Sequence, residues 1–398
     1  MAKTNWNNRR RWFENTFGFK EPRTYDQVQN LFRVFKAPNG SITLETISVP
    51  HNNNDDSRTA RRFHVGMFET PSVKELETRL DELGPNTTND DDHDKKRCTT
   101  TDFQQLVGHQ QQLVFRHIVA DVGELHRDPE HHGAVFQAAS QFNCLEMVSP
   151  EVRPEDGITG YANDRTQGPV CAMAAPAATL YRNYFWNGTG QCGGPQNQMD
   201  LLSNVGACVG NVPNSTTNDT QKAQPLYWTM QNGYALPAGR GSIQALRQNV
   251  LDQAWFRRDA VVQQLRVGVH WDTEVQQHHQ DPSTNDEHKL LVTQIYCSAL
   301  PIGYDSTASL EDWEPLARIV LDGAYEATLA AAAILSRQRN GARVQVFLTK
   351  LGGGVFQNRD SWIAAAIHRS LDKYRHEPLD VSLVHYGQVE EYYIKACS

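Results

Sequence analysis

The stretch from Glu314 to Tyr386 constrains the fold more than any other part of the 398-residue chain. It reads as a helix over Glu314 to Leu335, an apolar strand ValGlnValPheLeuThr over Val344 to Thr349, and a glycine-rich turn. A second helix from Asp360 to Tyr374 and a strand from Asp380 to Tyr386 follow. Two strands joined through a single helix pair in parallel by a right-handed crossover. The chain is therefore expected to be α/β with an at least partly parallel sheet. The glycine turn then falls at the carboxyl end of a buried strand, where open α/β sheets hold their ligands.

Composition narrows what such a ligand is. The chain can bury a full α/β core, as one large domain or a domain with an extension. With 39% hydrophobic residues, 8 Trp and 13 Tyr, wholesale disorder is excluded. The formal charge of -8 arises from 38 basic and 46 acidic residues, and the basic ones are scattered. That pattern argues against nucleic acid or an anionic membrane as main partners and leaves a small ligand or a protein. The cysteines, Cys98, Cys144, Cys171, Cys192, Cys208, Cys297 and Cys397, are widely spaced, with no CxxC pair. They read as reduced thiols, neither a disulfide framework nor a zinc site. The start, MetAlaLysThrAsnTrp, lacks the apolar core of a signal peptide, and no run of about eighteen apolar residues appears. The expected setting is cytoplasmic or another reducing intracellular compartment.

Along the chain, residues 1–100 carry mixed short elements, among them a strand at Arg62 to Phe68 and an amphipathic helix from Ser72 to Leu83. Asn86 to Thr101 is too polar to pack and marks a boundary. A helix is expected around Asp102 to Phe115, a buried strand within Gly133 to Ser140, and a central helix near Val170 to Phe185. Gly188 to Pro237, rich in Gly, Asn, Gln, Thr and Pro, reads as a long insertion and a candidate lid. Ser242 to Leu265 looks helical. Arg266 to His270 and Leu290 to Tyr296 look like strands joined by a loop rich in His and Asp.

Two stretches have the chemistry of an anion site. Leu351 to Asn358, LeuGlyGlyGlyValPheGlnAsn, lets backbone N–H groups approach a phosphate, and the following helix adds its unpaired donors and positive dipole end. It lacks the GlyLysSer/Thr of a P-loop, and a tight turn without ligand is its alternative. Asp164 to Ala172 also precedes a helix and offers a second set of donors, or merely a capped helix entry. Gln294 and Ser298, near the end of a strand, are placed either on a ligand cleft or in core and turn roles. Asp272 and Glu274 share one face of a strand end by the two-residue period. The groups His278, His279, Asp281, Asp286, His288 and His126 to His132 lack metal-ligand spacing, so no metal is expected. Cys171 is either a helix-activated nucleophile or an inert buried thiol.

Taken in this order, the pieces resemble the macro domain over about two thirds of the chain, from Asp121 to Gly387, with an insertion at about 186–265. The resemblance implies a three-layer α/β/α fold with a mixed, partly parallel central sheet, here with an N-terminal extension (1–100) ahead of the domain (101–398). AlaAspVal (Ala120 to Val122) is similar to the family's opening turn and implies that Asp121 contacts adenine. GlnAlaAlaSer (Gln137 to Ser140), with Asn143 behind it, is similar to the family's AsnAlaAlaAsn. Thr166 to Ala178 corresponds to the first glycine-rich loop and helix, which brings in Gln167 and Gly168. Phe347 to Asn358 resembles the diphosphate loop, implying contacts from Gly352, Gly353, Gly354, Val355 and Asn358 and a Phe356 ring near the distal ribose. The closing strand fits Val381 to Gly387. The large insertion is more like the poly(ADP-ribose) glycohydrolase branch and bacterial-effector relatives than the compact members. The chain departs from the family at Gln137 and Ser140, which replace both Asn positions. Cys171 lies where many hydrolases have Asp, the first glycine loop is reduced to GlnGlyPro, and Met173 to Leu180 contains no acid in place of the glycohydrolase GlnGluGlu.

The resemblance implies an ADP-ribosyl hydrolase acting on a modified protein side chain, arginine being one candidate, without a cofactor. Breaking the bond at the anomeric carbon calls for a carboxylate. Asp164, Asp272 and Glu274 are the candidates. The alternative is a non-catalytic module binding ADP-ribose or another NAD-derived nucleotide, favoured by the substituted catalytic loop. An enzyme acting on a different nucleotide, its base pocket formed by the N-terminal part, is a third option. The expected partners are ADP-ribose or an ADP-ribosylated protein, with no nucleic acid and no membrane.

Overall fold

The computed structural model describes residues 10–47, 60–84, 112–212, 226–277 and 289–396. The polar run from Asn86 to Thr101, most of the helix expected around Asp102 to Phe115, the loop from His278 to His288, and Cys98 and Cys397 lie outside the described residues.

Helices α1 (Trp12–Phe17) and α2 (Tyr25–Gln29) lead into strands β1 (Phe32–Lys36), β2 (Ile42–Thr46) and β3 (Arg62–Glu69). Helix α3 (Val73–Leu83) follows at once. Ser72 and Glu75 form a reciprocal capping box at its start, and Leu76 and Leu80 are buried one turn apart. Strand β4 (Val114–Val119) takes in Val114 and Phe115, which were expected to end a helix. Helix α4 (Val122–Arg127) and strand β5 (Val135–Ser140) follow. The single helix expected over Val170 to Phe185 is two, α5 (Gln167–Ala174) and α6 (Pro176–Tyr184). The break falls at Ala175, where Pro176 has no N–H to continue the ladder.

The insertion holds helix α7 (Ser203–Val209) and the hairpin of β6 (Trp228–Gln231) and β7 (Tyr234–Pro237). The helix expected from Ser242 to Leu265 is interrupted into α8 (Ser242–Leu246), a wide π-type turn at Arg247–Leu251, and α9 (Arg258–Val262). Ile243, Leu246, Val250 and Leu251 are buried, as are Val261 and Val262, but most residues between them are polar or, like Trp255, exposed, and Phe256 is only partly buried. No continuous apolar stripe holds that span to the core. Strands β8 (Gly268–Glu274) and β9 (Leu291–Ser298), helix α10 (Leu310–Gln338), strand β10 (Val344–Leu348), helix α11 (Asp360–Lys373), strand β11 (Leu379–His385) and helix α12 (Glu391–Ala396) complete the chain.

The larger strands form one nine-stranded sheet in the order β1-β2-β3-β8-β9-β5-β10-β11-β4. From β9 to β4 every neighbouring pair is parallel, and from β1 to β9 every pair is antiparallel. The N-terminal strands therefore continue the sheet that carries the parallel half.

Side-chain alternation on β5 and β9 shows helices on both faces. Gln137 donates to Thr328 Oγ1 of α10 at 3.1 Å, whereas Phe136 stacks on His126 of α4 at 3.7 Å between centroids. On β9, Cys297 faces Thr328, while Gln294 reaches the Cys171 carbonyl of α5 at 2.9 Å. The fold is thus three-layer α/β/α with a mixed sheet. Its central helix α10 is long and apolar enough to cross a bilayer, yet its apolar window is wholly buried in the core. A second, aromatic-rich core of Phe13, Phe17, Phe32 and Phe63 packs with Leu145, Tyr161 and Tyr184. The N-terminal residues thereby support the segment that follows β5.

Candidate functional site

A cleft of about 740 Å³ opens at the carboxyl ends of the five parallel strands. Each strand contributes the residues that end or follow it: Asp121 after β4, Ser140 and Gln141 from β5, Ala299 after β9, Thr349 to Phe356 after β10, and Val384 and Tyr386 of β11. Asn163 to Val170, the entry to α5, forms the facing wall.

The glycine loop is held open from beneath. Tyr325 Oη donates to the Thr349 carbonyl at 2.7 Å and accepts from Leu351 N–H at 3.0 Å. Asn358 Nδ2 donates to the Leu300 carbonyl at 2.9 Å, and Asn358 N–H closes the loop onto the Gly352 carbonyl at 3.0 Å. Gly352 has φ +73°, and a Cβ there would meet Ala299 Cβ at 2.4 Å, so only glycine fits. A Cβ on Gly354 would meet nothing within 4 Å. Among the described residues no acceptor meets the N–H of Gly354, Val355 or Phe356. These donors, with the start of α11 behind them, form one wall with the chemistry to meet an anion.

Across the cleft, Gln167 ties the start of α5 to the edge of β5. Its Oε1 accepts from Ala139 N–H at 2.8 Å and its Nε2 donates to the Gln137 carbonyl at 2.7 Å. Asp164 Oδ1 accepts from Thr166 N–H at 2.8 Å, which turns the chain into the helix. Gly168 lies so close to β5 that a Cβ would sit 1.7 Å from the Ala139 carbonyl oxygen and 2.3 Å from Glu146 Oε2. Asp121 caps α4 by accepting from Gly123 and Glu124 N–H, and its exposed carboxylate stands on the rim.

Of the residues read from the sequence, Asp121, Ser140, Asp164, Gln167, Gly168, Gly352, Gly353, Gly354, Val355 and Phe356 line one cleft. Gln137, Asn143, Gln294, Ser298 and Asn358 are buried outside its lining. Gln137 and Gln294 sit too far from the strand ends. Gln137 Oε1 accepts from Thr349 N–H at 3.3 Å, which supports the glycine loop from below. The Gln294 amide is used on Cys171, His126 and Tyr296. His126 remains neutral there, its pKa pushed down to about 3 by burial. Asn143 donates to Gln198 and accepts from Leu145 N–H, and Ser298 donates to the Ala299 carbonyl.

Asp272 and Glu274 lie elsewhere, because β8 runs antiparallel to β9. Glu274 pairs with Leu291 at the beginning of β9, the end of the sheet away from the cleft. The strand is also bulged between His270 and Thr273, with Asp272 at φ +49°, so the two-residue period fails. Asp272 lies 3.7 Å from Arg339, and Glu274 pairs with Lys289 at 3.1 Å and accepts from His64 N–H at 2.8 Å. Cys171 is fully buried, and burial pushes its thiol well above the ordinary range, which removes the nucleophile reading.

The carboxyl that the sequence reading missed is Glu146. It lines the cleft, is 3% exposed, and among the described residues its Oε1 has no hydrogen-bond partner. Burial holds its carboxyl well above the ordinary carboxylate range; the Arg182 guanidinium pulls it back and Asp164 pushes it further up. Arg182 is itself buried, stacked 3.7 Å from the Tyr296 centroid and donating from Nε to the Cys144 carbonyl. Burial thus favours the protonated form of Glu146, which faces the cleft as a proton donor. Its signal in the sequence is a single acid inside the apolar run CysLeuGluMetVal (Cys144 to Val148). Beside it Tyr234, Tyr304 and Phe356 form an aromatic wall with centroids 5.3 to 6.0 Å apart.

Fold and site together define a three-layer α/β/α protein with a cleft walled by unpaired backbone N–H groups and a buried acid at the carboxyl ends of its parallel strands. No family model matches the sequence, and no curated protein matches it. Among solved structures the chain is similar to poly(ADP-ribose) glycohydrolase from Deinococcus radiodurans in complex with ADP-ribose, at 11% identity over 83% of this chain and 92% of that one, with a TM-score of 0.37. It is also similar to poly(ADP-ribose) glycohydrolase from Thermomonospora curvata, at 12% identity over 98% of each chain and a TM-score of 0.38. The same enzyme bound to the inhibitor ADP-HPD gives 13% identity, 98% of each chain and 0.38.

Proposed function

We propose that the cleft binds ADP-ribose and that the protein is an ADP-ribosyl hydrolase, releasing ADP-ribose from a modified protein side chain, of which arginine is one. The observation that carries this reading is Glu146, a buried protonated carboxyl beside two walls suited to a diphosphate. A module that only binds ADP-ribose has no use for such an acid, since it costs stability and makes no structural hydrogen bond through Oε1.

The diphosphate lies between the N–H groups of Gly354 to Phe356 and the start of α5. Adenine lies toward Asp121, Val384 and Tyr386, and the distal ribose lies toward Phe356 and Tyr234. Glu146 then gives its proton to the leaving atom of the side chain as the bond to the anomeric carbon breaks, and the sugar takes on oxocarbenium character. Water adds to that carbon from the other face. Asp164, whose charge already acts on Glu146, takes up the proton lost by the water and releases it to solvent, from which the Glu146 carboxylate is reprotonated.

The test is release of ADP-ribose from a modified protein. Glu146→Gln is expected to lower kcat by about 10²- to 10⁴-fold while ADP-ribose still binds. Full activity in this variant would remove Glu146 from the reaction, and binding of ADP-ribose without release by the unaltered protein would favour the binding module.

A further inference from the structure

The insertion was expected as a lid, yet its hairpin is locked into the interior. The β6–β7 turn at Asn232 and Gly233 has φ of +46° and +83°, the left-handed pair of a tight hairpin. Gly233 presses on the segment after β5. Its carbonyl accepts from Phe142 N–H at 2.9 Å, and a Cβ on it would lie 2.4 Å from Asn143 Oδ1. Asn232 Nδ2 donates to the Pro150 carbonyl at 2.6 Å, and its Oδ1 accepts from Gln198, which in turn accepts from Asn143.

This network converges on the peptide groups around Glu146. Residues 145 to 147 belong to no helix or strand, and a side chain holds each of their N–H groups. Asn143 accepts from Leu145 at 3.1 Å, Tyr161 Oη from Glu146 at 2.9 Å, and Gln141 Oε1 from Met147 at 3.0 Å. Tyr234 Oη donates to the Met147 carbonyl at 2.6 Å and accepts from Gln141 Nε2 at 3.4 Å. The Tyr234 ring, 2% exposed, also packs on Tyr304 and Phe356 of the opposite wall. It is one side chain that touches both the acid's loop and the glycine loop.

We infer that the hairpin is a fixed brace for the loop bearing Glu146, and that Tyr234 is the positioning residue through which the insertion sets this acid against the cleft. This rests on the hydrolase reading for its consequence in turnover, but not for its consequence at Glu146. The charged and titratable groups acting on Glu146 are Arg182 from α6, Asp164 ahead of α5, Tyr161 from the loop between, Cys144, Cys171 of α5, Tyr296 of β9 and Tyr234 itself. Tyr234→Phe leaves the others in place and removes the Oη bonds to Gln141 and, at 2.6 Å, to Met147. Loosening these bonds admits water to the carboxyl.

The experiment compares Tyr234→Phe and Asn232→Gly, which preserves the turn, with Gln196→Ala on the exposed part of the insertion. Two quantities are read: kcat and KM for ADP-ribose release, and the titration midpoint of the Glu146 carbonyl stretch by infrared difference spectroscopy, assigned with Glu146→Gln. In both network variants kcat is expected to fall about tenfold with KM within about twofold. The midpoint is expected to fall by about one pH unit toward the ordinary range. Gln196→Ala leaves both unchanged. Wild-type kcat together with an unmoved midpoint would overturn the brace, whatever happens to thermal stability. If the unaltered protein releases no ADP-ribose, the hydrolase reading falls and the midpoint alone decides: a fall supports the brace, and an unmoved midpoint refutes it.

Discussion

A glutamate buried among apolar side chains loses more hydration on ionising than a single neighbouring cation restores, so it keeps its proton. For Glu146 the linkage has a definite sign. Its folded pKa lies above the unfolded value, so its contribution to stability is full below the ordinary carboxylate range. That contribution is lost as pH rises through the window up to the elevated value. At pH above the elevated value, Glu146→Gln is therefore expected to be more stable than the unaltered protein in a denaturant titration, and the difference is expected to vanish below the ordinary carboxylate range. Turnover has the same sign: kcat/KM falls as pH rises through the Glu146 pKa, and the residual rate of Glu146→Gln loses that limb. Gly168→Ala forces a methyl onto the Ala139 carbonyl and the Glu146 carboxyl. A loss of about 1–3 kcal/mol, together with activity, is expected in melting and rate measurements. Reading along the chain picks out Asp164, which precedes a helix, and passes over Glu146, because a cap has a local pattern. A side chain made functional by burial between Arg182, Gly168 and Ala139 has none.

Among elements, those with a strong period were legible. The alternation of α10, β10, α11 and β11 is written locally, and with it the parallel pairing and the place of the glycine loop. Elements that depend on partners were not. Ser242 to Leu265 carries helix-forming residues but contacts the core only in two pieces, and the β8 bulge turns Asp272 out of phase with its neighbours. The glycine loop itself separates support from recognition. Gly352→Ala meets Ala299 and a left-handed φ, and is expected to lose about 1–3 kcal/mol of stability. Gly354→Ala meets open space on the ligand side. Its melting temperature is expected to stay near that of the unaltered protein while its affinity for ADP-ribose falls about tenfold or more, read by calorimetry. Equal affinity would place the diphosphate elsewhere.

Across the whole molecule, what the sequence hid is long-range. Residues 10–47 and the described part of the insertion look like additions along the chain, but both close on the segment after β5. Glu21 accepts from Ile158 and Thr159 N–H at 2.8 and 2.7 Å, and Tyr234 reaches Met147 from the other side. Sheet direction likewise decides the carboxylates, since an antiparallel β8 takes Asp272 and Glu274 away from the ligand end. Asp272→Ala is accordingly expected to leave kcat/KM within about twofold. Glu274→Ala removes the ion pair with Lys289 and the acceptor of the His64 N–H, and is expected to cost about 1–3 kcal/mol in unfolding experiments. The most direct test of the cleft's identity is a calorimetric titration of the unaltered protein with ADP-ribose. Saturable one-to-one binding in the micromolar range, weakened by Gly354→Ala, is expected. No heat of binding at millimolar ADP-ribose would contradict both the ligand and the function assigned to this cleft.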